Sequence, residues 1–145
     1  MLAVLIPLSL AVGCGGAAED GPPPDNEDVV VRIVSPASLA RLTVRAAVAD
    51  DEDERTQGLR GIASLPANRG LLIVMPVEGE VCITNAGVRF PIDAVFTASD
   101  GTVVAVERNI PSGDVRLRCQ PSTHRILEVN GGAATRVAPG DHMFF

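Results

Sequence analysis

A cysteine at position 14 divides the chain into two unlike parts. Before it runs MLAVLIPLSLAVG, almost wholly apolar; after it comes GGAAEDGPPPDNED, rich in Gly, Pro and acidic residues. The second stretch cannot bury enough apolar area to offset the entropy of ordering. Pro22, Pro23 and Pro24 favour a stiff, extended path through it. Any globular fold is therefore confined to the residues from Val29 onward.

A short apolar run ending in small residues and one cysteine reads as a secretory signal with a lipidation site. Leu10, Ala11, Val12 and Gly13 before Cys14 resemble the lipobox of bacterial lipoproteins. The Cys14 thiol is the one nucleophile there that could take a diacylglycerol. Two features depart from the usual pattern: Ala11 stands where Leu is common, and no Lys or Arg precedes the apolar run. The run is too short to cross a bilayer, which needs about 20 apolar residues. A plain cleaved signal and a buried segment are the other readings. The expectation is a signal over residues 1–14, a disordered tether over 15–28 and a single domain over 29–145. A membrane partner is expected through lipid on Cys14, with the domain facing the periplasm or the exterior of a bacterial cell envelope.

The domain region holds many Val, Ile and Ala with frequent Gly and Pro, which favours β structure. The chain has no Trp or Tyr and four Phe, so aromatic platforms for stacking bases are lacking. Its net charge is −6 with no basic cluster, which argues against a nucleic-acid partner.

Strands are expected at Val29–Val34 and Arg41–Ala49. Asp50 or Asp51 can cap a short surface helix that Gly58 or Gly61 ends. A meander is expected next, from Leu71–Val77, Gly79–Asn85, Val88–Ala98 and the strand after the Ser99–Gly101 turn. Alternation puts Phe90, Ile92, Ala94 and Phe96 on one face and Asp93 on the other. Arg116–Pro121, His124–Asn130 and the closing His142–Phe145 complete the strands.

The order GLR, NRGLLIVM, CITNAGVRFPIDAVFTASDG, HRILEVNGG and APGD resembles the DUF192 family of bacterial and archaeal proteins. The resemblance runs from about Leu42 to Met143. It implies a compact, mostly antiparallel β-sandwich or distorted barrel with one short surface helix. It carries no reaction, because the family's activity is not established. Relatives usually read GLM, a residue, then Arg; here the Met and the Arg are replaced, with Arg60, Gly61 and Ala63 in that stretch. They also usually read FWMKNT before an IPLD segment. Asn85 and the run Pro91, Ile92, Asp93 match, whereas Cys82, Ile83 and Thr84 stand at the Trp, Met and Lys. Leu127 to Asn130 match, as do Gly140 and Asp141.

Cys82 and Cys119 remain once Cys14 is lipidated. In an oxidising compartment an even pair suggests a disulfide, worth about 2–4 kcal/mol by loop-entropy arguments; two buried free thiols are the alternative. Asn85, Asp93, Glu128 and Asn130 all offer oxygen acceptors. They are candidates for one polar pocket that takes a saccharide, a small polar ligand or a hard cation, although turn-holding roles explain each as well. Glu128 and Asn130 share one face of their strand. No catalytic residue, metal site or cofactor is assigned. The acidic run Asp50–Glu54 lacks EF-hand spacing, and His124 and His142 lack further zinc ligands. The expected role is non-enzymatic binding of a small ligand or an envelope protein. The alternative is a hydrolase or transferase acting on cell-wall or saccharide substrates.

Overall fold

The computed structural model describes residues 28–145. The expected lipidation site at Cys14, the signal over 1–14 and tether residues 15–27 lie outside the described residues. Asp28, placed by sequence in the tether, is already part of the fold. Its carboxylate takes a forked hydrogen bond from the Arg69 guanidinium, with Nη2 at 3.0 Å.

Among the described residues, seven strands and one short helix run in the order β1 (Val29–Val34), β2 (Ala40–Ala49), α1 (Glu52–Gln57), β3 (Arg69–Ile83), β4 (Ile92–Thr97), β5 (Val103–Ile110), β6 (Arg118–Asn130) and β7 (His142–Phe144). They form one sheet in the spatial order β5-β4-β6-β3-β2-β1-β7. The sheet curls until its outer strands touch. Thr102 bridges His142, and the Met143 amide donates to the Gly101 carbonyl at 2.9 Å. Gly101 has φ +91, and a Cβ there would lie 2.6 Å from the Met143 carbonyl oxygen. The corner closes only around a glycine. The result is a half-barrel, mainly β with one short helix, as the sequence implies.

The sheet is mostly antiparallel, as the resemblance implies, and β2 and β3 are its parallel pair among the described residues, with Arg45 opposite Arg69. A parallel pair needs a long crossover, and residues 50–68, including α1, supply it. One sequence expectation is corrected: the middle is not a meander. β3 pairs with β6, and β4 lies between β5 and β6.

The helix starts where its acidic residues can do most. Asp51 accepts from the Glu54 amide at 2.8 Å, and the Glu54 carboxylate answers the Asp51 amide, a reciprocal capping box. Gly58 ends it with φ +52.

Alternation along the strands builds apolar clusters on both faces. One contains Val31, Val44, Leu72, Val95, Leu127 and Val129. The other contains Leu71, Ile73, Ala94, Phe96 and Ile126, with Leu59 and Leu65 from the crossover packed over it. A double-sided sheet explains why β4 is buried at every position. Cys82 and Cys119 lie directly opposite on β3 and β6 and form a disulfide across 37 residues of sequence. Both cysteines are exposed.

Candidate functional site

The four polar candidates take up separate positions. Asn85 comes after β3 in a turn and is fully buried. Its Nδ2 donates to the carbonyls of Phe90 and Pro111 at 2.9 Å each, and to that of Ile110 at 3.4 Å. It pins two loops together. Asp93 is also fully buried. Its carboxylate accepts from the amides of Asn109 at 2.8 Å, Gly132 at 3.0 Å and Ala134 at 2.8 Å. Three backbone donors hold that carboxylate, which ties the loop after β6 to β5. Asn130 donates to the carbonyls of Leu65 and Pro66 and fixes the crossover against the sheet.

Glu128 differs from these three. It is 5% exposed, and no hydrogen bond to its carboxyl group is present among the described residues. It sits on β6 opposite Leu71 of β3 and Ala94 of β4, neither of which offers a side-chain donor. The backbones here are drawn close, since a Cβ on Gly70 would lie 2.9 Å from the Glu128 carbonyl oxygen. Burial pushes the Glu128 carboxyl up to about 7, while the Arg60 guanidinium pulls it the other way.

Glu128 lines a cleft of about 280 Å³ between the sheet and the segment that ends α1. Leu59, Ile73, Ile83 and Val88 give it apolar walls; Arg60 and Thr84 add polar groups. A second hollow of about 210 Å³ adjoins it along α1 and shares Arg55, Ile73 and Cys82 with it. Arg55 fixes the helix to the sheet by donating from Nη1 to the Val74 carbonyl at 3.1 Å. Arg60 reaches across the mouth. Its Nε donates to the Ala86 carbonyl at 2.8 Å and its Nη1 to the Thr56 carbonyl. Nη2 has no acceptor among the described residues.

The expected pocket of Asn85, Asp93, Glu128 and Asn130 is therefore corrected. Glu128 and Asn130 share a face of β6, but Asn130 is committed to the crossover. Asp93 lies on the opposite face, and Asn85 belongs to a loop anchor. Sequence reasoning missed Arg60 as a partner of Glu128. The signal was the cation in the GLR stretch, at a position where relatives usually carry Met. Thr84, at the usual Lys position, lines the same cleft. Among the described residues no three His, Cys, Asp or Glu side chains cluster as metal ligands would, and no helix is long and apolar enough to cross a membrane.

The DUF192 family model, described as an uncharacterized ACR, matches residues 34–145. No curated protein matches the chain significantly. Two solved structures share the fold. One is a protein of Sinorhizobium meliloti 1021 described as a candidate transcription regulator, with 24% identity and a TM-score of 0.78 over 85% of this chain and 97% of that one. The other is a protein of unknown function from Novosphingobium aromaticivorans DSM 12444, with 22% identity and a TM-score of 0.76 over 92% of this chain and 100% of that one.

Proposed function

The chain belongs to the DUF192 family, and from that premise we propose that it is a lipid-anchored module of the bacterial cell envelope that binds a small polar ligand in the Glu128 cleft. One observation carries the binding reading. Glu128 is a buried carboxyl group to which no protein donor hydrogen-bonds among the described residues, and it lines an open cleft. Burying such a group uncompensated costs about 1–3 kcal/mol, so a fold under no other constraint would place an apolar side chain there. A ligand that pairs with it offsets that cost.

The Cys14 sequence context supports the anchor, and the exposed Cys82–Cys119 disulfide fits an oxidising compartment. Membrane fractionation of wild type and Cys14→Ser tests the anchor. Unchanged membrane association of the variant would refute it.

The binding reading is tested by melting the full-length protein against saccharides, cell-wall fragments, amino acids, amines, carboxylates and divalent cations. Glu128→Gln serves as the paired variant. A saturable rise in Tm that the variant loses supports the cleft. No rise across the panel, or a rise that the variant keeps, overturns it.

A second reading, a hydrolase or transferase acting on cell-wall or saccharide substrates, is favoured by the raised pKa of Glu128. A carboxyl group that titrates near neutrality inside a cleft has the properties of a general acid or base. Turnover of a stabilising ligand, lost in Glu128→Gln, would select it.

A further inference from the structure

The cleft that holds Glu128 carries two charged points, Glu128 and Arg60, with Leu59, Ile73, Ile83 and Val88 on the same wall. Glu128 is the inner point, with no donor supplied by the protein. The Nη2 corner of Arg60 is the outer point, since Nε and Nη1 are spent on carbonyls. The volume of about 280 Å³ falls just under the roughly 300–1,000 Å³ of sites for drug-sized molecules, so the occupant is small.

Charge balance narrows the choice further. With Arg60 and Arg55 both on the cleft wall, a lone cation on ionised Glu128 would leave three positive groups against one negative. A molecule that carries both a cation and an anion adds no net charge and satisfies both points. We infer that the cleft takes a small zwitterion of the amino-acid type. Its ammonium group sits on the Glu128 carboxylate, its carboxylate on Arg60, and an apolar side chain against Leu59, Ile73, Ile83 and Val88. This inference rests on the cleft being the binding site proposed for this domain.

The competing occupant is a simple carboxylate, held by Arg60 and by protonated Glu128 acting as a donor. The two make opposite demands on pH. The ammonium group needs Glu128 ionised, so binding strengthens as pH rises through about 7. The simple carboxylate needs Glu128 protonated, so binding weakens over the same interval. The charged groups on the cleft wall besides Glu128 are Arg60 and Arg55. Strands β3 and β4 set Leu71 and Ala94 against Glu128 and add no charge.

The test is calorimetric titration of the full-length protein with L-valine, isovalerate and N-acetylglucosamine at pH 6 and pH 8. L-valine is expected to bind, with Kd falling about tenfold from pH 6 to pH 8 as Glu128 ionises. Glu128→Gln and Arg60→Gln, each checked for cooperative unfolding, are each expected to weaken it tenfold or more. Isovalerate that binds best at pH 6, or N-acetylglucosamine that binds while L-valine does not, would overturn the zwitterion. The cleft would survive provided Glu128→Gln removes that binding. L-valine binding indifferent to both substitutions would place it elsewhere and also overturn the inference. Binding by none of the three probes overturns the zwitterion, and the wider Tm panel then decides the cleft separately.

Discussion

Asp93 and Glu128 lie one register step apart on paired strands and face opposite sides of the sheet. Asp93 is opposite Val129, and Glu128 is opposite Ala94. Both are buried carboxyl groups. One has three amides to itself, and the other has none. Stability and the proposed binding therefore rest on different acids, and substitutions separate them.

Replacing Asp93 by Ala strands the amides of Asn109, Gly132 and Ala134. Leaving buried donors unsatisfied costs about 1–3 kcal/mol each. The expected loss, allowing for water entering at the partly exposed ends, is about 3 kcal/mol or more. Urea unfolding measures it, and a change below about 1 kcal/mol would contradict the assigned role.

Glu128 makes stability fall as pH rises. Its folded-state value is about 7 against an ordinary 4.5. Between those values the native state holds a proton that the unfolded chain has released. Its contribution is therefore unfavourable once pH passes 7 and absent below about 4.5, with a span of about 3 kcal/mol. Glu128→Gln should stabilise the protein at pH 8 and have little effect at pH 4. Paired denaturation curves at the two pH values give the difference, and a constant difference would rule out the shift.

Asn85 discriminates between two substitutions. Its Nδ2 serves three carbonyls. Asn85→Asp puts an acceptor against those acceptors, whereas Asn85→Ala only removes the donor. The aspartate variant should be the less stable by about 1–2 kcal/mol near neutral pH. Equal melting temperatures would show that the amide is not the pin.

Reduction should act on the folded protein, because both cysteines are exposed. Loss of the cross-link is expected to lower stability by about 2–4 kcal/mol without unfolding the domain outright. Thermal melts with and without a thiol reductant measure this, and the Cys82→Ala/Cys119→Ala double variant should match the reduced form.

Local signals in the sequence proved the most legible. β1 occupies the expected residues, and Asp51 and Gly58 bound the helix as capping chemistry suggests. The long strands β3 and β6 each read as two, broken at Glu78, two residues after Pro76, and just after Pro121. Both prolines are exposed and lie where the β3–β6 ladder skips residues, so no paired amide is missed. The strand order was hidden because β3 finds its partner far along the chain, and no local pattern encodes that choice. For the site, alternation marked Glu128 as sharing a face with Asn130, but Arg60 reaches the cleft only because the crossover folds back over that face. Proximity of that kind is a tertiary product.

The pairing of β1 with β7 has a kinetic meaning. Arg32 lies beside Phe144, and Val34 beside His142, so the first strand waits for its outer neighbour until all the intervening chain has been made. A nascent or truncated domain lacking β7 would present the bare backbone of β1 to other molecules, an invitation to strand exchange and aggregation. Such end-to-end contacts also favour slow folding, which gives a chaperone time to engage the chain while it is still open.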